Sequence, residues 1–147
     1  MPILTRRFIK IAMLYLLAAL LVGVILAGRP LWSLPSFLAG VGPVYFHLFM
    51  LGWVTQLIFG VVYWMFSKYS QAQPHGREGV WQTVFWLMNI GLILRVATEP
   101  MLTLNSEWGW VVALSAVMQW LAELLAVVAF SWHVWPRINP QLRVNYK

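Results

Sequence analysis

Four long apolar stretches set the pattern of this chain, divided by short segments in which prolines, glycines or charges gather. The first follows Arg6, Arg7 and Lys10 and runs to Ala27. The second opens on His47 and closes on Lys68. The third is interrupted by Asn89, Arg95, Thr98 and Glu99, and the fourth, from Trp108 to Trp135, carries Gln119 and Glu123. A helix needs about 20 largely apolar residues to cross a bilayer core. The pattern therefore predicts membrane spans at about 9–27, 44–66, 80–101 and 108–135.

The segments between them fit that division. Gly28 to Pro43 holds Pro30, Pro35 and Pro43 with Leu31, Trp32, Leu34 and Phe37, too broken for one helix and too apolar for water, so it is expected along an interface. Ser67 to Gly79 is polar and reads as an aqueous loop. Thr103 to Glu107 is expected to be a short turn, and Pro136, Pro140 and Arg143 to end the fourth span. A basic start before an apolar run also describes a secretory signal. This run is longer than the usual signal core, and no small-x-small cleavage pattern precedes Arg29, so it is expected to remain as an anchor.

Within the second run, Gly52, Gln56, Gly60 and Tyr63 share one face of an ideal helix, at about 100° per residue, and His47, Leu51, Val54, Ile58 and Met65 share the opposite one. Glycines four apart admit a neighbouring backbone, and Gln56 needs a partner that lipid does not supply, so the glycine face is expected to pack inside a bundle. On that wheel His47 looks out of the bundle. The third run carries a polar arc of Gly91, Arg95, Thr98, Glu99 and Leu102, and the fourth an arc of Val112, Ala116, Gln119, Glu123 and Ala126.

Composition turns this pattern into a class. The 147 residues are 61% hydrophobic and 16% aromatic, with a mean hydropathy of +0.74, outside the range of soluble domains. The expectation is an all-α integral membrane protein, one domain over residues 1–147, built as an antiparallel bundle of four transmembrane helices. The formal charge of +6 is spread around the apolar runs and forms no patch, so nucleic acid is not an expected partner; the lipid bilayer is. Arg6, Arg7, Lys10, Lys68, Arg77, Arg137, Arg143 and Lys147 fall on one side of a four-span topology and Arg29 alone on the other, which places both termini in the cytoplasm of a bacterial-type inner membrane. The absence of cysteine excludes disulfides, thiolate metal sites, iron–sulfur clusters and thioether-linked haem.

Few residues are left for chemistry. His47, near the non-cytoplasmic end of the second span, is a candidate axial ligand for haem or, together with Met50 at i, i+3, for copper. His75 belongs to the cytoplasmic loop and His133 to the far end of the fourth span, so neither reaches His47 in the same chain. Arg95 and Glu99, at i, i+4, can pair along one helix, and Arg95 lies at a depth where it can neutralise an anion such as a haem propionate. Glu123, near the middle of the fourth span, has no cation at its depth and is expected to be a neutral carboxyl bonded to Gln56, or else a proton-carrying group of a small transporter. Of the ten tryptophans, Trp32, Trp64, Trp81, Trp108, Trp110, Trp132 and Trp135 are expected at the interfaces, and Trp53, Trp86 and Trp120 within the spans.

The sequence His47-x-x-Met50-Leu51-Gly52-Trp53, the close Gly60-Val61-Val62-Tyr63-Trp64-Met65 and the run Leu94-Arg95-x-x-x-Glu99-Pro100 resemble parts of subunit I of haem-copper oxidases and nitric oxide reductases, over residues 45–101. In that family a histidine at the outer end of the second helix is an axial ligand of the low-spin haem b, a role that maps here onto His47. The resemblance stops short of a whole enzyme. A full subunit I has twelve helices, a second low-spin ligand, a high-spin haem ligand and three copper histidines, whereas this chain has three histidines in all. What it implies is haem b binding with electron transfer or gas sensing, as an oligomer or within a respiratory complex. With no second histidine at that depth, the other axial ligand is expected from a methionine, another protein, or His47 of a second copy in a two-fold dimer. The rival expectations are a haem-free accessory subunit and a small proton-coupled transporter using Glu123.

Overall fold

The computed structural model describes residues 1–31, 40–66, 78–103 and 106–138, with Phe66, Thr103 and residues 133–138 described by their backbone. The described residues form four helical rods. The first is α1, Ile3–Ala27. The second runs unbroken through α2, Val41–His47, a π-helical segment, Leu48–Thr55, and α3, Gln56–Phe66. The third is α4, Glu78–Thr98, followed by a 3-10 turn at Pro100–Thr103. A second 3-10 turn, Ser106–Trp108, leads into the fourth rod, α5, Gly109–Ile138. All four are long and apolar enough to cross a membrane, with candidate spans Ile3–Ala27, Val41–Met65, Glu78–Leu102 and Ser106–Trp132.

The ends differ from expectation for local reasons. Helix α1 starts near Ile3 instead of residue 9, because Leu4, Thr5 and Phe8 are buried and the helix is extended by packing. Helix α2 starts at Val41 and takes Pro43 into its first turn, where a missing N–H costs nothing. Helix α4 gives way just before Pro100, as a residue preceding proline favours. The backbone of α5 continues past Pro136 to Ile138, beyond the expected stop. The segment at 32–39, expected along an interface, the loop at 67–77 and the tail at 139–147, with His75 and the basic residues Lys68, Arg77, Arg143 and Lys147 used for topology, lie outside the described residues.

Neighbouring rods run antiparallel, as the pairs that meet show. A Cβ added to Gly60 would touch Phe8 and one added to Gly52 would touch Tyr15, so α1 descends as the second rod rises. Gln56 meets Asn89 and His47 meets Glu99, reversing direction again. Gly91 lies against Ser115, Met118 and Gln119, while the earlier Trp81, Val84 and Phe85 cluster with the later Ala122, Ala126 and Ala129, which sets α5 antiparallel to α4. The core divides in two along the bundle. Leu4, Phe8, Tyr63, Trp81, Phe85, Met88 and Ala122 pack at one end, and Ala19, Val41, Val44, Leu48 and Leu92 at the other.

Aromatic edges organise the first of these ends. Phe8 and Phe85 meet edge-on at 5.0 Å, and Tyr63 lies 5.4 Å from Trp81. Trp81, expected as an interfacial anchor, is therefore a core residue, while Trp86 and Trp120, expected within the spans, point outward. The outward surface is apolar over its length, with Leu14, Leu17, Leu21, Trp86, Ile93, Leu114, Val117, Trp120 and Val128 all exposed.

Candidate functional site

The glycine face packs as expected. Gly52, Gln56, Gly60 and Tyr63 are buried, and an ideal Cβ on Gly52 would stand 2.8 Å from Tyr15 Cβ and 2.9 Å from Leu92 Cδ2, so only glycine permits that approach. The expected outward direction of His47 does not hold. On a regular α-helix His47 lies about 180° from Gln56, nine residues on. The π-helical segment between them bonds i to i+5 and takes one extra residue into a turn, which reduces that angle to roughly 80°. His47 thereby comes above Gly52, five residues on, and turns toward α4.

There it enters a four-residue chain of polar contacts. His47 Nδ1 lies 3.2 Å from Glu99 Oε2, Arg95 Nε donates to Glu99 Oε1 at 2.9 Å, and Arg95 Nη1 donates to Gln119 Oε1 at 3.0 Å. The side chains of His47, Glu99 and Arg95 are 15%, 8% and 17% exposed, so the cluster sits just inside the surface. The i, i+4 pairing of Arg95 with Glu99 forms as its spacing predicts, and Thr98 beside it closes on Leu94 O. A carboxylate only accepts, so when the ring of His47 is neutral this contact requires the proton on Nδ1 and leaves the lone pair on Nε2. Met50 follows on the π-helical segment with an exposed side chain, while its carbonyl accepts from Thr55 Oγ1.

A second cluster lies deeper. Asn89 Oδ1 accepts from Tyr15 Oη at 2.9 Å and from Gln56 Nε2 at 3.2 Å, and Asn89 Nδ2 donates to Phe85 O at 2.7 Å. It ties α1, the second rod and α4 together. Glu123 has no part in it. The expected bond to Gln56 is absent, and half-buried Glu123 has no hydrogen bond or ion pair to any described residue.

Sequence reasoning paired Arg95 with Glu99 and placed His47 at a depth similar to that of Arg95, without joining His47 to the pair. It missed Tyr15, whose only signal is a phenol in an aliphatic run, and it named Gln119 and Asn89 without partners. Among the described residues no group of three or more His, Cys, Asp or Glu side chains converges. The side chain of His133 is not described, and its backbone lies near the end of α5 away from Gln119. Compared with family models, with curated proteins and with solved structures, the chain finds no match.

Proposed function

We propose that this chain is a four-span protein of a bacterial-type inner membrane, with both termini and the loop after the second span in the cytoplasm, that binds haem b through Nε2 of His47. The observation that carries the reading is the contact of His47 Nδ1 with a carboxylate itself fixed by Arg95. Metal-bound histidines characteristically donate their other nitrogen to such a group, which sets the tautomer and raises ligand basicity. The donor set fits one axial position: a half-buried imidazole with one nitrogen held, flanked edge-on by exposed Phe46 at 5.8 Å and followed by exposed Met50.

Haem would supply a one-electron couple or a gas-binding iron there. The chain's own residues orient the ligand and balance charge. Arg95 spends Nε and Nη1 within the chain, so a propionate would be met by its remaining Nη2. The sixth ligand would come from outside the protomer, from a second copy or from a respiratory partner, in keeping with electron transfer or gas sensing and not with a complete oxidase. The rival reading, a haem-free accessory subunit, is favoured by one feature: both oxygens of Glu99 are satisfied inside the chain, as a purely structural clamp requires.

A reduced-minus-oxidised spectrum of detergent-purified protein, expressed with ample haem supply, separates the two. The expected result is a low-spin b-type signal that disappears in His47→Ala. No haem signal in the wild type, or a signal unchanged by the substitution, overturns the reading.

A further inference from the structure

The outward side of α1 carries a pattern that the haem reading does not use. At about 100° per residue, Arg6, Arg7, Lys10, Leu14, Leu17 and Leu21 lie within one arc of about 100°. All six are exposed, while Leu4, Phe8, Ala12 and Ala19 of the same helix are buried on the other side. The arc is therefore cationic over its first two turns and aliphatic beyond them.

Nothing described in the chain neutralises these cations. None of the three forms an ion pair with a described residue. The chain has four acids in all. Glu99 is taken by Arg95 and His47, Glu107 lies at the opposite end of the bundle, and Glu78 and Glu123 stand on other helices and pair with none of the three. Like charges one turn apart, as Arg6 and Lys10 are, work against a helix, so the arc calls for an anion from outside the chain.

We propose that this arc binds an anionic phospholipid, with the phosphate held by Arg6, Arg7 and Lys10 and an acyl chain laid along Leu14, Leu17 and Leu21. From Lys10 to Leu21 the helix rises about 16 Å, close to half the ~30 Å thickness of a bilayer core, so the aliphatic part of the arc matches one leaflet. Each cation near an anionic headgroup strengthens the contact, and long basic side chains reach the headgroup level from the first turns of a span. A second copy does not suit the arc, because a two-fold axis normal to the membrane would set three cations against three. The inference rests on the reading of the chain as a membrane protein and not on haem.

The test is native mass spectrometry of the detergent-purified full chain, titrated with phosphatidylglycerol and with phosphatidylcholine of the same acyl chains. Phosphatidylglycerol is expected to bind tighter by about tenfold or more, and by no more than about twofold in the triple variant Arg6→Gln, Arg7→Gln, Lys10→Gln. Equal affinity of the wild type for the two lipids overturns the site without recourse to a variant, and a chain that binds neither refutes the membrane reading as well. An equal loss of preference in Arg137→Gln, Arg143→Gln, Lys147→Gln, which removes the same charge elsewhere, also overturns it. Inorganic phosphate that competes as well as phosphatidylglycerol at the same concentration shows an anion site without a lipid and does the same. Since the chain has no cysteine, a disulfide-linked dimer of Leu17→Cys in native membranes would put a second copy on this face and refute the lipid.

Discussion

Glu99→Gln removes one charge and almost no volume, and the surrounding geometry dictates what the amide does. Arg95 Nε donates toward the position of Oε1, so the amide oxygen takes that place and the amide nitrogen takes the place of Oε2, 3.2 Å from His47 Nδ1. A donor now faces a nitrogen that was itself donating. The ring responds by moving its proton to Nε2 and accepting at Nδ1. The substitution therefore inverts the tautomer, and the lone pair moves from Nε2 to Nδ1.

The energetic consequence follows from the same two contacts. Hydrogen bonds to charged groups contribute about 1.5–3 kcal/mol and neutral ones about 0.5–1.5. Two contacts are downgraded, and Arg95, 17% exposed, loses its counter-charge while keeping Gln119. The expected destabilisation is about 2–3 kcal/mol, roughly 30- to 150-fold in the unfolding constant. Denaturant titration in micelles measures it, and nitrogen NMR of ring-labelled histidine reads the tautomer. A variant within about 0.5 kcal/mol of wild type whose His47 keeps its proton on Nδ1 would refute the reasoning, since that is the range of an uninvolved surface change.

Three further outcomes are expected. Gly52→Ala should destabilise the fold by about 1–3 kcal/mol, because its Cβ meets Tyr15 at 2.8 Å, while Gly42→Ala, with nothing within 4 Å, should stay within about 0.5 in the same titration. Deleting Leu51 should let a regular α-helix replace the π-helical segment with both flanks in phase, so the His47 to Glu99 contact persists in the NMR readout; its loss would show that the extra residue does not set the direction of His47. Reporter fusions at Lys147 and within Ser67 to Gly79 should both report the cytoplasm, and a translocated reporter at either place would overturn the proposed topology.

The four rods were legible because apolar length is a strong signal, and the glycine face because Gly52, Gln56 and Gly60 repeat at the four-residue step of an α-helix. The direction of His47 was not. A π-helical segment leaves no mark on a helical wheel drawn at constant pitch, and Leu48–Thr55 reads as ordinary apolar helix. The wheel erred over one turn, the turn between the correctly placed Gly52 and the misplaced His47. Trp81 failed for a different reason. Tryptophan near a span end is usually an anchor, but Tyr63 and Phe59 supply ring partners from another rod that no local pattern shows.

The placement of polar groups gives the extra residue of the π-helical segment a purpose. Glu99 and Arg95 could pair along α4 without help, and Asn89 needs only Gln56 and Tyr15. A regular second helix would satisfy both clusters and leave His47 outside, an imidazole on an apolar wall. Bonding i to i+5 weakens the backbone geometry of a whole turn, and such turns in α-helices are found mostly at functional sites. Here the deformation turns the whole preceding part of the rod, so that Val41, Val44 and Leu48 reach the core and His47 reaches a carboxylate that Arg95 already holds. The deformed turn therefore serves two ends at once, the packing of the core at that end of the bundle and the direction of the histidine ring.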